Sequence, residues 1–233
     1  MQQDRERVVV FTGAGVSAES GLRTFRGNDG LWENHRIEEV ATPAAWERDP
    51  ELVLRFYDER RAQVLNAQPN AAHRAIAALE QGFEVQVITQ NIDDLHERGG
   101  SSKVLHLHGE ILLARSTRDP RLVTRINGPS LRPGERCALG SQLRPHIVWF
   151  GEPVPLFEVA AQAMGRADRV IIVGTSLQVH PAAGLIRFAP AHVPVHVVDP
   201  AGTRLRSPRL EVLNEPASVG MPALADRLLR ERV

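Results

Sequence analysis

The stretch "RVVVFTGAGVSA", residues 7–18, decides the fold. A short apolar run ends at Gly13, and the residues that follow fit the pattern G-x-G-x-x-G/A of dinucleotide-binding turns. Glycine permits the sharp turn, Gly15 lets backbone approach a pyrophosphate, and Ala18 permits close packing of a helix whose N–H groups face the phosphates. The stretch predicts a strand and a phosphate-binding turn, although the same pattern also occurs in ordinary loops.

Similar apolar runs recur along the chain, separated by helix-forming stretches. Near-continuous apolarity in a short run is typical of a strand buried on both faces of a parallel sheet. The runs occupy residues 7–12, 83–89, 103–108, 169–175 and 193–199. The helix-forming stretches occupy residues 49–65, 69–80, 155–167 and 221–233. This alternation predicts an α/β fold with a Rossmann-like, doubly wound parallel sheet.

Two segments interrupt the alternation. Residues 28–68 place a loop and helices before the second strand, and residues 110–145 are rich in Arg, Pro and Gly with weak periodicity. We expect these two insertions to form a smaller lobe within one domain over residues 1–233. The larger, Rossmann-like lobe would then comprise about 1–27, 69–109 and 146–233.

The composition limits the partners of the chain. Lys+Arg and Asp+Glu both number 28, so the formal net charge is zero. General attraction to nucleic acid or to a membrane is therefore not expected, and any partner must be recognised locally. No stretch approaches 18 consecutive apolar residues or forms a signal-peptide core, which predicts a cytoplasmic protein.

An ordinary dehydrogenase requires more than the glycine-rich turn. Its fingerprint includes an acidic residue about 20 positions further on, at the end of a second strand. Glu33 has this spacing but lies in "GNDGLWENHR", which does not have the pattern of a strand. Hydride transfer is therefore disfavoured.

Five blocks of the sequence resemble the signature blocks of the sirtuins, the NAD-dependent protein-lysine deacylases. In family order they are "GAGVSAESGLRTFRG" (13–27), "TQNID" (89–93), "LHGE" (107–110), "WFGE" (149–152) and "GTS" (174–176). The resemblance extends from residue 8 to about residue 220 and implies a single sirtuin catalytic domain. It is closest to bacterial CobB-like proteins and their mitochondrial desuccinylase relatives, because Thr24 stands where many sirtuins have Asp.

The resemblance implies that NAD is the co-substrate. A mobile loop over Thr24–Trp32 would close over the ribose, with Phe25 shielding it and Arg26 in contact with the cofactor. One departure weakens the contact at Asp199, since an Asn often found two residues before that acid is Val197 here. The implied cofactor-binding residues are Gly13, Ala14, Gly15, Ser17, Ala18, Glu19, Thr24, Phe25, Arg26, Trp32, Gln90, Asn91, Ile92, Asp93, Gly174, Thr175, Ser176, Asp199 and Ala217.

The resemblance also implies the catalytic residues. Asn91 and Asp93 would hold the nicotinamide carboxamide, for which an amide and a carboxylate are suitable hydrogen-bond partners. His108, directly before Gly109, would be the catalytic base, because a neutral imidazole can accept a proton near pH 7. Strand alternation should send His106 to the opposite face, where it would be structural.

The family reaction transfers the acyl group to ADP-ribose. The acyl oxygen of a modified lysine attacks C1′ of the nicotinamide ribose, nicotinamide leaves, and the base assists attack by the 2′-hydroxyl. With one water consumed, the products are lysine, nicotinamide and O-acyl-ADP-ribose, so the partners implied are acylated-lysine proteins or peptides. The peptide would add as a strand beside Val148, Phe150 and Gly151, which gives main-chain affinity with little sequence selectivity.

Two residues of the stretch 49–65 suggest which acyl group is removed. Tyr57 and Arg60 are three apart, so they share one helix face, and they match the Tyr-x-x-Arg pattern of the desuccinylase and demalonylase subclass. A guanidinium and a phenol can hold a distal carboxylate, whereas the alternative is an ordinary solvated arginine. Ala41 resembles the small residue that leaves room for a longer chain.

Other functions remain open. The same site could perform plain deacetylation or transfer ADP-ribose to a protein side chain, and a non-catalytic NAD-sensing module would bind without turnover. The presence of His108, Asn91 and Asp93 argues against the last alternative.

The metal of the family is not expected here. Most sirtuins hold a structural zinc on two Cys-x-x-Cys pairs, but Cys137 is the only cysteine of this chain. Tetrahedral structural zinc needs four ligands at close spacing, and residues 110–148 contain only His146 as a histidine. We expect a zinc-free small lobe without metal ligands.

Overall fold

The structure is a computed structural model that describes residues 5–23, 31–32, 35–206 and 208–232. Four residues discussed above, Thr24, Phe25, Arg26 and Glu33, lie outside the described residues. The statements below refer to the described part of the chain.

The strands in chain order are β1 (Arg7–Thr12), β2 (Leu31–Trp32), β3 (His35–Arg36), β4 (Glu84–Thr89), β5 (Val104–His106), β6 (Gly109–Ser116), β7 (Val123–Arg125), β8 (Leu143–Ile147), β9 (Arg169–Val173), β10 (Val195–Val198) and β11 (Leu210–Leu213). The helices are α1 (Ile37–Val40), α2 (Pro43–Arg48), α3 (Pro50–Asn66), α4 (Ala71–Ala78), α5 (Leu95–Arg98), α6 (Phe157–Gly165) and α7 (Ala217–Arg230).

The main sheet is parallel and has the order β11-β10-β9-β1-β4-β5. Val8 and Val10 of β1 belong to the core beneath α4 and α7. Val9 and Phe11 face the opposite side, where α6 and the 3₁₀ segment Ala182–Phe188 cover the sheet. Alternate residues of one strand are thus buried on both faces. The predicted Rossmann-like, doubly wound sheet is confirmed.

A second, smaller sheet lies in the other half of the molecule. Its strands are antiparallel and have the order β7-β6-β8. The helices α1 to α3 pack against it, because Phe56 and Tyr57 share a buried cluster with Ile111, Ile147 and Trp149. The two insertions therefore pack on each other around a core of their own.

The weak periodicity of residues 110–145 conceals three strands. The segment contains most of β6, all of β7 and most of β8. Its Arg-rich composition and Pro145 hide the strand pattern, and a shift in register between Glu110 and Ala114 breaks the alternation. Long-range pairing overrides local propensity in such strands. The edge strand β11, only four residues long, was also not predicted.

Element ends differ from expectation at two places that matter. Strand β5 ends at His106, so His108 lies in the turn that follows, and the argument that strand alternation separates the two histidines is wrong. Helix α7 begins at Ala217 rather than at 221. Its Pro222 is the sixth residue and lies inside the helix, so the hydrogen bond that an N–H there would donate to Ser218 O is absent.

Candidate active site

The glycine-rich turn differs from the expected form. Two 3₁₀ turns, Ala14–Val16 and Ala18–Ser20, follow it in place of the predicted helix. The Gly15 N–H donates to Gly174 O over 2.9 Å. Gly174 has φ +60°, and a Cβ there would lie 2.3 Å from Val16 N. The glycines thus allow two backbone turns to touch, one after β1 and one after β9.

A cavity of about 530 Å³ opens at the carboxyl ends of β1, β4 and β9. In parallel α/β sheets ligands bind at this edge. The structure brings together around it the described residues named from the sequence: Gly13, Ala14, Gly15, Ser17, Ala18, Glu19, Trp32, Ala41, Tyr57, Arg60, Gln90, Asn91, Ile92, Asp93, His108, Val148, Phe150, Gly151, Gly174, Thr175, Ser176, Asp199 and Ala217. Their roles stay predictions.

Ser17 links the glycine-rich turn to the end of β4. Its hydroxyl donates to Oδ2 of Asp93 over 3.1 Å and accepts from Nδ2 of Asn91 over 3.1 Å. The Leu95 N–H donates to the other oxygen of Asp93. These bonds fix the amide and the carboxylate side by side at the cavity wall, with Asn91 7% and Asp93 5% exposed.

The carboxyl of Asp93 is electrostatically perturbed. Burial raises its pKa to about 6, against the opposing effects of the Leu95 N–H, the Ser17 hydroxyl and the charge of His106. The group is therefore mainly ionised at neutral pH but takes up a proton under mildly acidic conditions. A carboxylate accepts hydrogen bonds only, whereas the acid also donates.

The ring of His108 has a defined tautomer. Nδ1 lies 3.0 Å from Gln90 O, and because a carbonyl only accepts, Nδ1 carries the proton. Nε2 is then left with its lone pair. Burial lowers the pKa of His108 below its ordinary value, although the bond to Gln90 opposes this. The neutral ring is thus suited to accept a proton.

A buried polar network behind these residues was missed by sequence reasoning. Asn70 N donates to His73 Nδ1 over 3.2 Å, so Nε2 of His73 carries a proton and faces Ser17 Oγ at 3.4 Å. Burial lowers the pKa of His73 to about 4. In the sequence, His73 is only a histidine within a predicted helix, and that pattern does not indicate a buried contact with Ser17.

The threonines that end β1 and β4 extend this network to His96. The Thr12 hydroxyl donates to Thr89 Oγ1 over 2.8 Å and therefore accepts from Nε2 of His96 at 2.9 Å. Thr89 Oγ1 also accepts from the Asn91 N–H over 3.0 Å. The backbone of Asn91 is thereby tied to the last residue of β1.

The remaining predicted cofactor residues make local contacts. Gln90 Nε2 donates to Thr175 Oγ1 over 3.0 Å, which joins the ends of β4 and β9. Asp199 Oδ1 accepts from the Ala201 N–H over 2.9 Å. Val197 is 1% exposed in the core, so it makes no contribution to the cavity in place of an Asn.

One end of the cavity holds a buried phenol and guanidinium. Tyr57 is fully buried and Arg60 is 7% exposed. Among the described residues, the Tyr57 hydroxyl and the Nε and Nη1 atoms of Arg60 have no hydrogen-bond partner. Nη2 of Arg60 donates to Glu59 over 2.9 Å. Burial raises the pKa of Tyr57 well above its ordinary value, so the phenol keeps its proton.

Glu152, which also lines the cavity, was not singled out from the sequence. Its carboxylate accepts from both terminal nitrogens of Arg144, from Arg115 and from the Trp149 N–H. The Arg144 guanidinium lies 3.2 Å from the centre of the Trp149 ring. Burial would raise the pKa of Glu152, but the hydrogen bonds from Arg144 and from the Trp149 N–H, together with the charges of Arg144 and Arg115, outweigh it. The pKa of Glu152 therefore lies below its ordinary value. The cluster fixes the loop after β8.

The site residues fit a dinucleotide. The turn residues Gly13, Gly15 and Ser17 line the cavity, and the buried Asn91 and Asp93 supply the donor and acceptor groups that a carboxamide needs. Zinc does not fit: within the described residues no three His, Cys, Asp or Glu side chains form a metal-binding group. Cys137 Sγ instead lies 3.2 Å from Ser116 Oγ and 3.1 Å from Ser141 Oγ. No described helix is long and apolar enough to cross a membrane.

Comparison with known proteins gives the same family from sequence and from structure. The sequence profile of the Sir2 family matches residues 13–181. An NAD-dependent protein deacylase of Helicobacter pylori is 48% identical over 225 residues, which cover 96% of this chain and 98% of that protein.

Two solved structures extend the comparison. A Sir2 homologue in complex with NAD is 41% identical, with a TM-score of 0.88 and coverage of 99% of this chain and 92% of that one. A Sir2 protein with a deacetylated p53 peptide and 3′-O-acetyl-ADP-ribose is 29% identical, with a TM-score of 0.77 and coverage of 98% and 94%. The chain therefore belongs to the Sir2 family.

Proposed function

We propose that this protein is an NAD-dependent protein-lysine deacylase that prefers succinyl and malonyl groups and also removes acetyl groups. The observation that carries the proposal is the convergence, on one cavity, of a neutral His108 with the buried Asn91 and Asp93. The similarity to the Helicobacter pylori protein supports this proposal, since that protein is an NAD-dependent protein deacylase.

NAD, when bound, supplies the nicotinamide–ribose bond that is broken and the ADP-ribose that takes the acyl group. Asn91 and Asp93 would orient the carboxamide, each held by Ser17. His108 would take a hydroxyl proton on Nε2, because Nδ1–H is engaged with Gln90 O. Fixed donors and acceptors of this kind act by positioning, without reorganisation during the reaction.

The substrate side of the cavity would hold a lysine peptide. Val148, Phe150 and Gly151 line it beside the loop after β8. An extended peptide there would use main-chain hydrogen bonds, which tolerate many side chains. Acylated-lysine proteins are therefore the proposed partners.

The preference for acidic acyl groups rests on Tyr57 and Arg60. Buried polar groups are normally hydrogen-bonded, and an unpaired buried donor costs about 1–3 kcal/mol. Tyr57 Oη and two Arg60 nitrogens lack partners among the described residues, although both side chains line the cavity. A carboxylate at the end of an acyl chain would satisfy these donors, whereas an acetyl group would leave them unpaired.

In the decisive experiment the protein is incubated with NAD and with succinyl-, malonyl- and acetyl-lysine peptides of one sequence. The masses of the products are then measured by mass spectrometry. We expect free lysine peptide and O-acyl-ADP-ribose, with the largest kcat/KM for the two acidic acyl groups. Equal rates on all three peptides would support plain deacylation without acidic preference. An ADP-ribosylated peptide would indicate transferase activity, and unchanged peptides with tight NAD binding would indicate a sensing module.

A further inference from the structure

His106 is a further buried histidine near the site, in addition to His73 and His96, and neither the fold nor the proposed chemistry explains it. It is 8% exposed at the end of β5, where it pairs with Thr89 of β4. Its Nδ1 lies 3.0 Å from Asn91 O, and its Nε2 lies 2.8 Å from Glu97 Oε1 in α5. The ring therefore bridges the backbone of a proposed catalytic residue and a carboxylate.

Both ring nitrogens of His106 face acceptors. A carbonyl oxygen accepts only, and so does an ionised carboxylate. Both bonds can form with an ionised Glu97 only if Nδ1 and Nε2 each carry a proton, which makes the ring an imidazolium. His108, in contrast, has an acceptor at Nδ1 only. The two neighbouring histidines thus differ in the contacts that determine their charge.

Electrostatics agree with this geometry. Burial opposes the charge, but the hydrogen bond and the charge of Glu97, together with the Asn91 carbonyl and Glu110, hold the pKa of His106 above its ordinary value. The same pairing outweighs burial at Glu97 and lowers the pKa of that carboxyl. His96, which His106 also influences, stays neutral, because burial, followed by the charges of His73 and His106, lowers its pKa.

We propose that the His106–Glu97 ion pair is a positioning element of the active site: its imidazolium holds the carbonyl of Asn91 and stabilises the carboxylate form of Asp93. The inference rests on the proposed function, because it assumes that Asn91 and Asp93 contact the nicotinamide. His106 is not among the described residues that line the cavity, so it is a positioning residue. Its charge lowers the pKa of Asp93, which burial alone would raise further.

Glu97→Gln separates charge from geometry. In this variant the neutral ring of His106 still donates from Nδ1 to Asn91 O and accepts at Nε2 from the new amide, so both bonds remain and only the charge is lost. We expect the acidic limb of kcat/KM for NAD to move up by roughly half to one pH unit. Glu84→Gln is the matched control, because that carboxylate pairs with Lys103 at the surface, and its profile should not move.

His106→Asn and His106→Gln separate the two hydrogen bonds. The Asn amide nitrogen occupies about the position of Nδ1 and keeps a donor for Asn91 O, whereas the Gln amide nitrogen reaches the position of Nε2 and does not. We expect both variants to show the shifted acidic limb, and the Gln variant to have about a tenfold lower kcat than the Asn variant. Equal kcat values would overturn the positioning of Asn91.

Two measurements without substrate distinguish this inference from the proposed function. In ¹⁵N NMR at pH 7, His106 should have both nitrogens protonated in the wild type and one in Glu97→Gln; a single protonated nitrogen in the wild type overturns the ion pair. In ¹³C NMR, the titration midpoint of the Asp93 carboxyl should lie at higher pH in Glu97→Gln than in the wild type. If this midpoint moves while the kinetic pH profile does not, the charge effect stands and the role of Asp93 in NAD binding fails. If the midpoint does not move, the charge effect is overturned.

Discussion

The hydroxyl of Ser17 donates to Oδ2 of Asp93 over 3.1 Å and joins the turn after β1 to the segment after β4. The same hydroxyl accepts from Asn91. A single side chain therefore orients both groups proposed to hold the nicotinamide carboxamide, and it reaches them from a different strand end. Replacing it should disturb the cofactor site without touching the acyl end of the cavity.

Ser17→Ala should lower kcat/KM for NAD by about 10- to 100-fold, because two buried hydrogen bonds are lost and Asp93 loses a donor that favours its ionised form. The acidic limb of the pH profile should also move to higher pH. Ser20→Ala is the matched control, since the Ser20 hydroxyl accepts from Asn70 instead. Similar losses in both variants would show that the effect comes from the turn as a whole.

Arg60→Met should lower kcat/KM for a succinyl-lysine peptide by about 10- to 100-fold and change that for the acetyl peptide by less than about threefold. The variant keeps a similar volume but removes the guanidinium donors of a residue that lines the cavity. Arg55→Met serves as control, because Arg55 lies on the same helix, is 61% exposed and pairs with Glu51. An equal loss on both peptides in a side-by-side kinetic assay would rule out the carboxylate-binding role.

The contribution of His73 to the stability of the protein should fall on acidification between about pH 6.5 and pH 4. Burial holds the pKa of His73 at about 4 in the folded state, whereas the unfolded value is near 6.5. In this window the unfolded state binds more protons at His73 than the folded state does. The contribution of His73 to stability is therefore fully present above the unfolded-state pKa and is lost as pH falls. Complete titration of His73 corresponds to about 3 kcal/mol.

Urea unfolding of the wild type and His73→Asn at several pH values measures this contribution. The Asn side-chain oxygen can replace Nδ1 as the acceptor for Asn70 N–H, while the ionisable ring is removed. The variant should therefore be less stable at pH 7 and less sensitive to acid. A parallel pH dependence of the two unfolding free energies would mean that His73 does not titrate in this range.

The small lobe should need no zinc. Cys137 has hydroxyl partners, Ser116 and Ser141, and the described residues offer no group of three metal ligands. Elemental analysis of purified protein should find zinc far below one per chain, and dialysis against a chelator should change neither Tm nor kcat. One zinc per chain, lost together with stability on chelation, would contradict the expectation.

Much of the fold was predictable because buried parallel strands leave a strong local signal. The runs at 7–12 and 83–89 coincide with β1 and β4 to within one residue. The strands of the small sheet were not predictable, since β7 is exposed along its length and β8 contains Pro145. Their pairing depends on contacts that are distant in sequence, which composition does not reveal.

The cavity lining was anticipated through the resemblance and not through periodicity. Asn91 and Asp93 alone would fit ordinary turn chemistry. The supporting groups, His73, His96 and Glu152, were missed because each contacts a partner far away along the chain, which is Arg115 in the case of Glu152. A histidine in a helix gives no sign of whether its ring faces solvent or a buried hydroxyl.

The position of α3 in the chain has an evolutionary consequence. Tyr57 and Arg60 belong to the first insertion, whereas Asn91, Asp93 and His108 follow strands of the main sheet. Under the proposed function, substitutions in one helix would change which acyl group is accepted, while the residues proposed to hold the nicotinamide and to act as the base stay in place. A lineage could diversify its substrates through this insertion, with the ancestral chemistry inherited unaltered.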